Sequence, residues 1–269
     1  MVFKIGLVGC GAIGVEIATA LDSGLIPARL VAVSDRNQER VRTMVAGLQS
    51  KPAQVPLVDL VELSDLVVEA ASQSAVLEVA RAALSRGRDL MIMSVGALMD
   101  PELFRTVQGL AEEQGCRVYL PSGAISGLDG LKSGSIGKIN SVSLTTTKNP
   151  AGLEGAPYIL EKEIDLKALT EATVVYEGPA REAVLAFPAN VNVAATLSLA
   201  YGGEVKVRIV ADPQIKVNRH EILVEGDFGR ISTRVENVPS PRNPRTSFLA
   251  ALSAIATLRS IVSPIKIGT

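Results

Sequence analysis

Apolar positions in the first part of the chain fall into short runs separated by segments of helical spacing. Phe3, Ile5, Leu7 and Val8 form the first run, and Arg29-Leu30-Val31-Ala32-Val33-Ser34 the second, with a helix expected over residues 12–22 between them. Val41, Met44, Val45 and Leu48 recur at three- and four-residue steps, which predicts a helix over 38–48. Residues 51–55, punctuated by Pro52 and Pro56, read as a loop or a short strand. Residues 66–71 form a buried parallel strand, followed by a helix over 73–86 and the strand Asp89-Leu90-Met91-Ile92-Met93. The next helix announces its start with Asp100 as N-cap, Pro101 at the first helical position and Glu102 in the first turn. Arg117-Val118-Tyr119-Leu120 completes the series. Strand and helix alternate from residue 3 to about residue 120, so the fold class is α/β, a doubly wound parallel sheet.

At Pro121-Ser122-Gly123-Ala124 the pattern changes. Strands are expected over 139–147, 173–176 and 205–210, with a hairpin through Ile222-Leu223-Val224 and residues 231–235 around Gly226 and Gly229. With a helix over 191–201 packed on them, these strands predict a second α+β domain built on a mostly antiparallel sheet. Residues 151–156, with two glycines and a proline, suit a mobile loop close to a site or a merely solvated one. Pro239, Pro241 and Pro244 read as a stiff linker before an amphipathic helix carrying Phe248, Leu252, Ile255 and Leu258 on one side. The expected division is 1–121 as a dinucleotide-binding domain, completed by the C-terminal helix 245–269, and 122–244 as a substrate and oligomerisation domain.

The 269 residues carry a net charge of −1, which gives no electrostatic footprint for nucleic acid or an anionic membrane. No uncharged apolar run approaches the ~18 residues of a membrane helix, and Met1 leads directly into the first strand, so a cytoplasmic protein is expected. Cys10 and Cys116 are too few for a disulfide framework and fall beside buried strands, where cysteine acts as a small hydrophobe. One histidine and two distant cysteines give no metal-ligand spacing, so no metal is expected.

The chemistry gathers around Gly9-Cys10-Gly11-Ala12-Ile13-Gly14, a G-x-G-x-x-G turn between a strand and a helix. Such a turn presents backbone N–H groups to a pyrophosphate, the signature of a Rossmann dinucleotide site. Asp35 ends the second strand, where its carboxylate can accept from both hydroxyls of an adenosine ribose; Arg36 beside it could reach a 2′-phosphate, which leaves NAD and NADP both open. Ala70-Ala71-Ser72-Gln73 and Ser94-Val95-Gly96-Ala97 are small residues at strand ends, suited to a ribose and nicotinamide passing close to the backbone, or to plain strand-to-helix turns. His220 is a candidate for the proton exchange that hydride transfer from a carbon bearing an amine or hydroxyl requires. Lys148, Arg242 and Arg245 are candidates to clamp a carboxylate substrate, or solvated surface cations. Asn190 suits an N-cap as well as a partner for the nicotinamide carboxamide.

Beyond the glycine turn, four stretches resemble the L-aspartate dehydrogenase family: residues 121–129 (Pro121-Ser122-Gly123-Ala124-Ile125-Ser126-Gly127-Leu128-Asp129), Thr145-Thr146-Thr147-Lys148-Asn149-Pro150, Phe187-Pro188-Ala189-Asn190-Val191-Asn192-Val193-Ala194 and Asn218-Arg219-His220-Glu221-Ile222. The resemblance runs nearly end to end. It implies oxidation of L-aspartate to iminoaspartate with NAD or NADP, a part in NAD biosynthesis and a homo-oligomer. It also implies cofactor contacts at Ala124 and Asn190, with His220 as the active-site residue. Rival readings are a reductase resembling dihydrodipicolinate reductase or homoserine dehydrogenase, and a non-catalytic NAD-binding redox sensor that would need neither His220 nor the cations.

Overall fold

The computed structural model describes residues 2–188, 192–240 and 242–268, and of Pro244 and Arg245 the backbone alone. The chain divides into two compact units, Met1–Pro121 with Ala250–Lys266, and Ser122–Leu249 with Ile267–Thr269. No described helix is long and apolar enough to cross a membrane.

The first unit alternates strand and helix: β1 (Lys4–Val8), α1 (Ala12–Asp22), β2 (Arg29–Ser34), α2 (Gln38–Gly47), β3 (Ala53–Gln54), α3 (Leu57–Leu63), β4 (Leu66–Glu69), α4 (Val76–Leu84), β5 (Asp89–Ile92), α5 (Pro101–Gln114) and β6 (Val118–Tyr119). All pairs are parallel, in the order β3-β2-β1-β4-β5-β6. The winding direction reverses between β1 and β4, and a crevice forms beyond the carboxyl ends of strands at such a point. β4 is buried throughout because helices cover both faces of the sheet. Asp100 caps α5 as expected, its Oδ1 accepting from the N–H groups of Glu102 and Leu103. The helix α3 escapes the sequence reading, since seven residues give too short a window for its period.

The second unit contains α6 (Leu128–Gly134), β7 (Ile139–Lys148), α7 (Pro157–Glu161), β8 (Thr173–Pro179), α8 (Ala180–Ala186), α9 (Asn192–Tyr201), β9 (Lys206–Ala211), β10 (Asn218–Gly226) and β11 (Gly229–Asn237). Its sheet runs β11-β10-β7-β9-β8 and is antiparallel except between β7 and β9. That parallel pair is possible because the chain makes a long crossover through β8, α8 and α9 before returning beside β7. Tyr158, Tyr176 and Phe187 meet edge to face or tilted, with centroids 5.3 to 5.7 Å apart, and fasten α7 and β8 to the end of α8.

Two expectations for the last part are corrected. The proline-rich stretch is a small hairpin of β12 (Pro239–Ser240) and β13 (Asn243–Ser247), short strands on which proline is tolerated because few ladder bonds are at stake. In α10 (Phe248–Val262) the buried stripe is Ala251, Ala254, Ile255 and Leu258, while Leu252 is exposed. Those four sit at i, i+3, i+4 and i+7, the spacing of one helix face. Ala254, Ile255 and Leu258 enter the first unit's core with Ile5, Leu7, Ile17 and Leu30. Residues 150–152 wind into a 3₁₀ turn, and Leu153 is buried beside it.

Candidate active site

In the first unit the glycine turn joins β1 to α1. Gly9 has φ +105°, and a Cβ on it would collide with the backbone of Ala70 and Ala71. A Cβ on Gly14 would strike the Gly9 carbonyl, which is why the helix can lie so close to the strand. At Gly11 a Cβ would meet no protein atom within 4 Å and would stand in open space. No side chain caps α1 at Gly11, so its N-terminal end remains available to an anion. Ala12 and Ile13 form the first turn, with Ile13 packing its side chain against the core.

A cavity of about 230 Å³ opens here, lined by Gly9, Gly11, Asp35, Arg36, Ala71 and Ser72 among others. Asp35 accepts from Cys10 N at 2.7 Å through Oδ2 and from Asn37 N at 2.8 Å through Oδ1. A carboxylate offers about four acceptor positions, so two remain for ribose hydroxyls. Arg36 is exposed and approaches Glu78 at 3.9 Å across the rim. Arg40, absent from the sequence reading, also lines the cavity. The Cys10 thiol is pushed up to about 12 by burial and the nearby Asp35 carboxylate, which leaves it unreactive.

Ala71 and Ser72 do line this cavity, but their N–H groups are already taken. Both donate to Glu69 Oε1, at 2.8 and 3.0 Å, while Ser94 donates its N–H to Oε2 at 3.0 Å and its hydroxyl to Oε1 at 2.9 Å. Glu69 has no exposed surface. Burial raises its pKa, and the four donors work against that rise. Its signal in the sequence was a carboxylate closing the apolar run Leu66-Val67-Val68.

In the second unit the inner face of the sheet is an apolar ladder of Val142 and Leu144, Ile222 and Val224, and Val207 and Ile209. Near its end it turns polar. Thr146 and Lys148 lie two residues apart on β7 and therefore share this face, and His220 on β10 lies directly across from Thr146. Thr146 Oγ1 and His220 Nδ1 are 2.9 Å apart. All three side chains are buried. Burial, then the Lys148 charge, lowers His220 to about 3, and burial alone lowers Lys148 to about 8. At neutral pH the imidazole is uncharged and the amine largely cationic.

Ala124 is buried in this unit, its carbonyl accepting from Asn237 Nδ2 at 3.0 Å. Asn237 pairs with Asn218, two residues before His220, so it belongs to the same polar end. Its Oδ1 is buried without a hydrogen bond among the described residues. Thr146 fell inside one of the family-like stretches without a role of its own, and Asn237 was not singled out, because each is unremarkable until strand register sets it near His220. Arg242 is exposed in the turn between β12 and β13. Asn190 lies outside the described residues, as does the side chain of Arg245. Among the described residues no group of His, Cys, Asp and Glu could hold a metal ion.

A parallel sheet with this strand order and glycine turn, followed by a mixed-sheet unit burying a histidine and a lysine, defines a pyridine-nucleotide-dependent oxidoreductase. The family model described as the NAD binding domain of homoserine dehydrogenase matches residues 9–121, and that described as aspartate dehydrogenase, C-terminal, matches 129–261. An L-aspartate dehydrogenase of Methanocella arvoryzae is 57% identical over 269 residues, covering 99% of this chain and 100% of that one. The crystal structure of aspartate dehydrogenase from Thermotoga maritima superposes with a TM-score of 0.76 at 29% identity, covering 100% of both chains. A scyllo-inositol dehydrogenase from Lactobacillus casei with bound NAD(H) and scyllo-inositol shares the fold, with a TM-score of 0.61 at 17% identity over 100% of this chain and 91% of that one. The chain belongs to the L-aspartate dehydrogenase family, and its cofactor is a nicotinamide dinucleotide.

Proposed function

We propose that this enzyme oxidises L-aspartate to iminoaspartate with NAD or NADP, the imine then hydrolysing to oxaloacetate and ammonia, and that the reaction feeds NAD biosynthesis. The observation that carries the substrate assignment is the burial of Lys148 and His220 on one face of the second sheet, where a doubly negative ligand would stabilise the Lys148 cation and the protonated form of His220. The first unit is the dinucleotide-binding domain. Gly9, Gly11 and the N–H groups of Ala12, Ile13 and Gly14 would hold the pyrophosphate. Asp35 would take the adenosine ribose, with Arg36 beside it, and Ala71 and Ser72 would form the opposite wall. Ala124 and Asn190 would contact the nicotinamide end. When bound, the nicotinamide would supply the acceptor for the hydride leaving Cα of the substrate.

His220 is the proton acceptor for the substrate amine in this reading. Its imidazole is uncharged before substrate arrives, and the incoming carboxylates raise its basicity toward the working range. Lys148 pairs with one substrate carboxylate, with Arg242 and Arg245 as further cations for the other. Thr146 fixes the imidazole through Nδ1. A homo-oligomer is part of the proposal, with β8 and β11, the edge strands of the second sheet, as the surface to be covered. A cytoplasmic location follows the cofactor pool that such an oxidation draws on.

The test is formation of reduced cofactor by the purified protein with NAD or NADP and a panel of L-amino acids at mildly alkaline pH. Turnover confined to L-aspartate is expected. Turnover with homoserine, or none with aspartate while NADH still binds, would overturn the substrate assignment.

A further inference from the structure

Glu69 sits at the carboxyl end of β4, the strand next to the switch in winding order, and faces no solvent. A carboxylate in such a place is unfavourable unless its oxygens are fully engaged. Here three backbone N–H groups and one hydroxyl point at it, two from the turn after β4 and two from Ser94 at the end of β5. N–H groups can only donate, so the set matches an ionised acceptor. The same turn, Ala70 to Ser72, lines the cavity opposite Asp35, and its backbone is what forbids a side chain at Gly9.

We infer that Glu69 is a positioning residue for the dinucleotide: its carboxylate ties the turn after β4 to the end of β5 and so fixes the wall against which the cofactor lies. The inference rests on the reading of this cavity as the cofactor site. By taking the N–H groups of Ala71 and Ser72, Glu69 also removes them as phosphate donors, leaving the α1 terminus to hold the pyrophosphate. The cofactor then meets this wall through side chains and carbonyls, which suits ribose rather than phosphate.

The deciding variant is Glu69→Gln, which keeps the shape but in either orientation turns an N–H₂ toward at least one backbone N–H, a group that can only donate. The Michaelis constant for NAD is expected to rise about tenfold, and the dissociation constant of NADH, read by its fluorescence, to rise in parallel. The Michaelis constant for aspartate should move less than twofold. Ser94→Ala, which removes only the hydroxyl bond, should raise the NAD constant two- to threefold without other change, and it decides the matter if Glu69→Gln fails to fold. An NAD constant within twofold of the parent in the folded Gln variant overturns the inference, as does an equal loss in both Michaelis constants and kcat, which would mark a general structural role. Asp35→Ser run alongside separates the two failures. If it weakens NAD while Glu69→Gln does not, only the inference falls; if neither variant alters NAD binding, the cavity is not the cofactor site.

Discussion

The two units solve opposite electrostatic problems. In the first, the site's carboxylates, Asp35 and Glu69, each accept backbone N–H groups at 2.7 to 3.0 Å, so the chain itself solvates the charge. In the second, Lys148 and His220 are set at the end of an apolar ladder, where burial disfavours the charged form of both. The contrast teaches what each site is built for. The first is a mould of fixed backbone, complete before any ligand arrives. The second holds bases whose charged forms are costly until an anion joins them.

The largest expected effect comes from His220→Ala. Turnover should fall by about 10² to 10⁴, the usual contribution of a positioned base, with NADH binding unchanged by fluorescence titration. The same variant should alter acid stability. With a folded pKa of about 3 against 6.5, the unfolded state binds a proton that the native state refuses, so the parent loses stability as pH falls from about 6.5 to 3. Denaturant unfolding of His220→Ala should show a flatter profile across that window. An unchanged profile would mean that the imidazole is not held neutral.

Lys148→Met should sharpen the contrast, because it is expected to damage function and improve stability together. Lowering the amine from 10.5 to about 8 costs about 3 kcal/mol of native stability at neutral pH, which methionine would recover. The parent should gain stability as pH rises from about 8 toward 10.5, where the unfolded state holds the extra proton, and the variant should not. Its kcat/KM for aspartate should fall by ten- to a hundredfold, as expected for a lost charge-assisted bond. Stability and activity falling together would sink the argument.

The smallest effect is expected in the mould. Asp35→Ser removes the acceptor proposed for the ribose and also the tether to Cys10 N, so both cofactors should bind less well. The ribose part should make NAD weaken about tenfold and NADP less. Equal weakening would show that the tether alone matters.

Much of the first unit was legible because its signals are local. Asp100, Pro101 and Glu102 announce α5 within three residues, and the glycine turn needs only its neighbours. The proline-rich stretch misled because proline punctuates loops and short edge strands alike, and only pairing distinguishes them. The stripe on α10 was legible at Ile255 and Leu258 but misplaced at Leu252, because Ala251 and Ala254 carry little hydrophobic signal and yet are buried.

By itself the sequence determined the α/β alternation, the glycine turn with Asp35 at the end of the next strand of the same βαβ unit, the change to a second sheet, and the residue types from which a site could be made. Tertiary structure alone decided how those residues act. Ser94 reaches Glu69 across 25 positions, and Thr146 meets His220 across 74, because sheet pairing joins segments that no local pattern links. The lowered pKa values of Lys148 and His220 likewise belong to no residue alone. They arise from the apolar ladder beneath them, since the energy of a charge is set by what the fold packs around it.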